Sequence, residues 1–143
     1  NLISSSVVAV MAQRLLRVTC PRCKRPYTPD EHVISLWPEN EKTSVIRGQL
    51  YRGLGCENCL NTGYLGRTGI FELLVIDEDI KGLISKRRSS HIIKEAAIEK
   101  GMSTLREDGL RKALNGETTL EEVCRVTQDS VQTSAGVTEH VGS

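Results

Sequence analysis

The stretch GCENCLNTGYLGRTGIFELL at 55–74, read with CPRC at 20–23, decides how this chain is organised. Four of the five cysteines fall in two Cys-x-x-Cys pairs, Cys20/Cys23 and Cys56/Cys59, with 32 residues between them. Two thiolates two residues apart can grip one ion from a single turn. Two such turns brought together complete a tetrahedron of four sulfurs, the set zinc takes in closed, structural sites. The gap is longer than the ~15–20 residues of a common zinc ribbon, so the pattern agrees in form and is looser in length. Three other readings use the same cysteines: iron in a rubredoxin-like site, two disulfides in an exported protein, and a thioredoxin-like redox pair, for which no βαβ pattern is present. A four-ligand zinc centre has no open position and is structural rather than catalytic. It supplies about 10–16 kcal/mol of folding energy, against roughly 1.5–3 kcal/mol for each buried aliphatic side chain.

The composition shows why such a centre is useful. Of 143 residues, 38% are hydrophobic but only 3% aromatic, so the core is aliphatic and thin and a cross-link counts for more. A formal net charge of +1 speaks against a uniformly basic, nucleic-acid-binding surface. The local basic group Arg14, Arg17, Arg22, Lys24 and Arg25 reads as a solvated helix end followed by a polar loop. It holds no stacking aromatic, Tyr27 lying just beyond it. No apolar run reaches the ~20 residues of a membrane span. The opening NLISSSVVAVMAQRLLR carries its basic residues after the apolar part, the reverse of a signal peptide. It also lacks an initiator Met, which reads as a piece of a longer protein.

The pattern predicts a helix over 5–17, capped by serines, with Val7, Val8, Val10, Met11, Leu15 and Leu16 as its apolar stripe. A small irregular module follows over 20–59. In it a short helix starts near Asp30 and carries Val33, Ile34, Leu36 and Trp37, Pro38–Lys42 forms an exposed loop, and a strand covers Gln49–Arg52. Residues 60–76 are the most strand-like, bent at Gly63, Gly66 and Gly69, with Arg67 as an exposed charge on a bend. From Asp77 the signal is helical: Asp77 and Ser90 as N-caps, Gly101 and Gly116 as stops, and capping boxes at Thr104-x-x-Glu107 and Thr119-x-x-Glu122. Residues 128–143 read as a disordered tail. The fold class is α+β, mainly α: a tetracysteine module with short strands, then a small helical bundle. Because the caps and stripes of the helical end need nothing from the cysteine module, that end is expected to survive metal removal. Cys124 reads as a core thiol, and His32, His91 and His140 share no constellation. Nucleotide-binding G-x-x-x-x-G-K-[ST], G-x-S-x-G and H-E-x-x-H motifs are absent from the sequence.

Three phrases in order, MAQRLLRVTCPRC (11–23), GCENCLNTGYLGRTGIFELL (55–74) and LREDGLRKALNGETTLEEVCRVT (105–127), resemble the C-terminal end of the assembly ATPases of type II secretion and type IV pili, secretion being favoured. The resemblance covers residues 1–127. It implies a division into the last helix of an upstream ATPase core (1–19), a zinc-binding subdomain (20–76), a helical C-terminal subdomain (77–127) and a tail (128–143). It makes Cys20, Cys23, Cys56 and Cys59 the ligands of a structural Zn2+. The parent protein it implies is a cytoplasmic hexamer, peripheral at the inner membrane, that uses ATP and Mg2+ to add pilin-like subunits. Its implied partners are neighbouring subunits of a homo-hexamer, the inner-membrane platform and cytoplasmic secretion-system proteins, with no nucleic acid. The phosphate-binding loop of such motors is missing here, so the chain alone is expected not to hydrolyse ATP. A second reading is a zinc-ribbon module binding nucleic acid or client chains, since Cys56-x-x-Cys59-x-x-Thr62-Gly63 is similar to the zinc region of J-domain chaperones. Those proteins repeat a tighter Cys-x-x-Cys-x-Gly-x-Gly unit several times.

Overall fold

Two long strands, far apart in sequence, form the spine of the protein. The computed structural model describes residues 8–136, and side chains as far as Gln128. Strand β1 (Val8–Thr19) pairs antiparallel with β4 (Tyr64–Ile76), from Val8↔Ile76 to Arg17↔Arg67. This corrects the helix expected over 5–17; its serine cap and Val7 lie outside the described residues. The apolar positions fit a helical stripe, yet Val8, Val10, Ala12, Leu16 and Val18 also fit a period of two. Such short apolar patterns are ambiguous until a partner is known. The partner is β4, rich in β-branched and aliphatic residues, and its ladder overrides the local helical signal. Between Arg17 and Thr19 the register slips, so that Leu65 and Gly66 oppose Val18 alone. Gly66 takes φ +81, as a glycine bulge requires.

The ribbon buries one face. Leu16 and Ile70 are 1% and 0% exposed, while Met11, Leu15, Phe71, Leu73 and Val75 on the other face stay open. Onto the buried face packs one core drawn from distant parts of the chain: Trp37, Val45 and Leu50 from the segment between the cysteine pairs, and Leu110, Leu120 and Val123 from the last two helices.

A second, short ladder joins β2 (Lys24–Tyr27) to β3 (Leu50–Gly53). Between them lie α1 (Glu31–Ser35), capped by the Asp30 carboxylate accepting the Val33 N–H at 2.9 Å, and α2 (Glu39–Arg47). The exposed loop expected over Pro38–Lys42 is therefore the start of a helix. Pro38 at the N-cap position and Glu39 and Glu41 in the first turn suit a helix N-terminus, and only Val45 is buried, which is why the segment reads as polar.

After the ribbon come α3 (Glu78–Ser85), α4 (Ser90–Glu99), α5 (Leu105–Leu114) and α6 (Leu120–Gly136). Asp77 caps α3 as expected, and Ser89 rather than Ser90 caps α4. Thr104 and Glu107 form the expected reciprocal box on α5. That helix is bolted to the ribbon by Asp108 accepting the Phe71 N–H and Glu72 accepting the Leu105 N–H, both at 2.9 Å. Helix α6 runs through 128–136, which the sequence reading assigned to a disordered tail. No proline or glycine interrupts it between Leu120 and Ala135, so a nucleated helix propagates. Residues 137–143 lie outside the described part. No described helix is long and apolar enough to cross a membrane.

Candidate metal centre

Each cysteine pair sits where a strand meets a turn. Cys20 follows the end of β1, and its N–H donates to the Gly63 carbonyl at 2.9 Å. Pro21 and Arg22 make the turn, and Cys23 leads into β2, its carbonyl accepting the Leu54 N–H at 3.1 Å. Cys56 and Cys59 bracket a 3-10 turn at Glu57–Cys59. Leu60 and Asn61 then reverse the chain with φ 55 and φ 62.

The short β2–β3 ladder brings the two turns together. Sγ–Sγ distances are 3.7 Å for Cys20–Cys56, 3.8 Å for Cys23–Cys59 and 3.7 Å for Cys56–Cys59, with all four sulfurs within 4.8 Å of one another. An ion bound to four sulfurs at ~2.3 Å in a tetrahedron sets the sulfurs ~3.8 Å apart, so the cage fits one such ion. Disulfides need sulfurs at ~2.05 Å, and all five cysteines are free. Cys20, Cys23 and Cys59 are buried and Cys56 half-buried.

The surroundings favour thiolate at Cys20 and Cys59. Backbone N–H groups point at sulfur: Gly55 to Cys23 at 3.3 Å, Cys56 to Cys59 at 3.3 Å and Gly63 to Cys59 at 3.2 Å. The Asn58 amide lies 3.9 Å from the Cys20 sulfur. Burial raises the thiol pKa values, but the N–H groups of Cys56 and Gly63 outweigh it at Cys59, and those of Arg22 and Cys23 outweigh it at Cys20, so both end below the ordinary value. At Cys23 burial wins and the pKa rises. Such a set can hold one metal ion and is compatible with zinc, whose charge deprotonates a coordinating thiol.

All four residues singled out from the sequence converge here. Two glycines were not singled out as part of the site. Gly53 and Gly63 touch backbone to backbone at the base of the second turn, so that a Cβ on Gly53 would lie 2.2 Å from the Gly63 carbonyl oxygen. The glycine spacing 53, 55, 63 around the second pair was the available signal. Cys124 is half-buried on α6, and burial lifts its thiol to about 11, with the Trp37 side chain opposing. His32 is exposed. The basic group is dispersed into local bonds: Arg14 to the Gln13 carbonyl, Arg17 to Glu122, Lys24 to the Gly116 carbonyl and Arg25 to the Lys24 carbonyl.

Fold and cage together define the class: an α+β module whose two cysteine turns bring together four sulfurs that could hold one ion. Residues 1–125 match the model of the type II/IV secretion system protein family, and the chain belongs to that family. It is 48% identical over 121 residues to the type IV pilus assembly ATPase PilB of Thermus thermophilus, covering 85% of this chain and 14% of that protein. It is 44% identical over 129 residues to the type II secretion system ATPase E of Vibrio cholerae, covering 90% of this chain and 25% of that protein. A type IV pilus assembly ATPase PilB of Myxococcus xanthus is 37% identical over 124 residues, covering 85% of this chain and 22% of that protein. The chain thus spans a quarter or less of these relatives.

Proposed function

We propose that this chain is the metal-bearing C-terminal part of an assembly ATPase of type II secretion or type IV pili, with one structural zinc ion on Cys20, Cys23, Cys56 and Cys59. The observation that carries the reading is a cage of four cysteine sulfurs, all within 4.8 Å of one another, in a chain of this family. Relatives from both systems match at 48 and 44%, so the reading spans both, and the preference for secretion has no support in these identities. In this reading ATP and Mg2+ are handled elsewhere in a longer polypeptide. That polypeptide works as a cytoplasmic homo-hexamer, peripheral at the inner membrane. This part contributes contacts to neighbouring subunits and to the membrane platform.

The open face of the ribbon supports a docked role. Met11, Leu15, Phe71, Leu73 and Val75 are 42–60% exposed on one side of two strands. A contiguous apolar patch of that kind marks a contact surface, and the relatives extend far beyond the 14 and 25% matched here. The nucleic-acid reading has less behind it. Tyr64 bonds Thr119, Tyr27 bonds Glu121, and Lys24 lies over the Tyr51 ring, so the tyrosines are already engaged.

Metal analysis of freshly purified, reduced protein tests the reading and is expected to return about one zinc per chain, as a site of four cysteines binds; a count of zero removes its basis. The same preparation is expected to show no ATP turnover. Turnover above buffer contradicts the placing of ATP chemistry elsewhere.

A further inference from the structure

The segment Gly116–Glu122, a turn and the start of α6, bonds to the chain on both sides of the sulfur cage. Ahead of Cys20, the Arg17 backbone N–H and Nε donate to Glu122 Oε2 at 2.8 and 3.1 Å, and Arg17 Nη2 donates to Oε1 at 2.9 Å. Thr118 Oγ1 donates to the Arg17 carbonyl at 2.7 Å, and the Thr19 N–H donates to the Glu117 carbonyl at 3.0 Å. Just after Cys23, Lys24 Nζ donates to the Gly116 carbonyl at 3.1 Å. On the second turn, Tyr64 follows Gly63, whose N–H serves Cys59. Its hydroxyl meets Thr119 Oγ1 at 2.8 Å, and the Arg17 guanidinium covers its ring at 4.2 Å.

Capping α6 does not require this arrangement. Thr119 Oγ1 already accepts the Glu122 N–H at 3.0 Å. The Glu122 carboxylate, 1% exposed, points to strand β1 and is completed by Arg125 at 3.0 and 2.7 Å. A four-sulfur cage opens when its two turns part. Here the residues flanking each turn are fastened to the same short segment.

We propose that Gly116–Glu122 is a brace that positions both cysteine turns, with Glu122 as its main positioning residue, so that docking of α6 sets how tightly the cage retains its ion. The proposal rests on the zinc reading of the cage. By linkage the coupling is reciprocal: a loaded cage also holds α6 in place. On this proposal the helical end depends on the metal, contrary to the expectation from its caps alone.

The test measures zinc transfer from the loaded protein to a chromophoric chelator, together with the visible spectrum of the Co(II)-substituted protein. Glu122→Gln, Thr118→Val and, as a remote control, the α3 cap variant Asp77→Ala are compared with the parent chain. Glu122→Gln is expected to release zinc about tenfold faster, the equivalent of ~1.4 kcal/mol, and to alter the cobalt–thiolate bands. Thr118→Val, which leaves the ion cluster intact, is expected to release it several-fold faster. Asp77→Ala is expected to lower thermal stability yet release zinc at the parent rate. Parent-rate release from both brace variants overturns the proposal. So does equal acceleration in Asp77→Ala, because general loosening then explains the effect. Failure of the parent chain to take up zinc or cobalt refutes the cage itself and the brace with it, whereas normal uptake with unchanged release refutes the brace alone.

Discussion

Gly53→Ala is the sharpest perturbation of the metal centre, because it adds one methyl group where two backbones touch. The new Cβ would stand 2.2 Å from the Gly63 carbonyl oxygen and 2.7 Å from its Cα. Both are backbone atoms, so no rotamer relieves the clash, and ordinary contact requires a retreat of about 1 Å to reach the usual carbon contact range. Gly63 donates to the Cys59 sulfur at 3.2 Å and accepts from the Cys20 N–H at 2.9 Å, so its retreat moves one ligand from each turn. Metal–ligand distances tolerate about 0.2 Å, far less than that displacement. Losing outer support of metal ligands costs ~10–100-fold in affinity, and the expected loss lies in or above that range. Zinc competition with a calibrated chelator measures it. Gly66→Ala is the control: its Cβ meets nothing within 4 Å, while φ +81 makes it strained. It is expected to lower stability by ~1–2 kcal/mol with zinc affinity unchanged. If Gly53→Ala binds zinc as tightly as the parent, with the same cobalt spectrum, the base of the second turn does not position the sulfurs as described.

Two further outcomes follow from the packing and charge of α6. A methyl at Gly109 would meet the Val123 Cγ1 at 2.5 Å, so Gly109→Ala is expected to destabilise by ~1–3 kcal/mol through overpacking despite its better helix propensity, and Val123→Ala in the same chain to recover part of that in urea unfolding. Burial by itself would raise the Glu122 pKa, but hydrogen bonds from Arg125 and Arg17 outweigh burial and hold the carboxyl at about 2. A depressed carboxyl stabilises above its unfolded pKa, so the stability it contributes at neutral pH is expected to fade as pH falls from about 4.5 towards 2. Parent and Glu122→Gln urea midpoints, compared across that window, should converge at the acid end; a constant gap contradicts the assignment.

What could be read from the sequence was what is local. The cysteine pairs, the helix start near Asp30, the Asp77 cap and the Thr104/Glu107 box each declare themselves within four residues, and each stands where the spacing placed it. The errors lie where a partner distant in sequence decides. Residues 8–19 form a strand only because 64–76 offers a ladder, and the serine-rich opening with its apolar stripe carries no trace of that partner. Helix α2 buries one side chain, Val45, so periodicity had almost nothing to report. Glu122 read as half of a capping box because Thr119 stands three residues before it. Only Arg17, more than a hundred residues upstream, shows why its carboxylate is buried.

The same separation explains why the sulfurs sit where they do. The aliphatic core gathers on the inner face of the ribbon, and the sulfur cluster is a distinct buried group with no aliphatic residue in it. Around the second turn the hydrophobic side chains point outward, Leu54 and Leu60 being 64 and 83% exposed, so burial gives residues 54–62 little stability. That turn also carries Leu60 and Asn61 in the left-handed region, at ~1–2 kcal/mol for Leu60, while asparagine tolerates it better. A strained turn without a core of its own needs another source of order. The available sources are the N–H bonds to sulfur, the brace from α6 and an ion at the centre of the cage. Only an ion bonds all four sulfurs at once, and its ~10–16 kcal/mol is large enough to offset the strain. In the proposed zinc reading, two turns 36 positions apart in sequence are closed by one ion where the thin core leaves them open, and the segment Gly116–Glu122 braces the closed form.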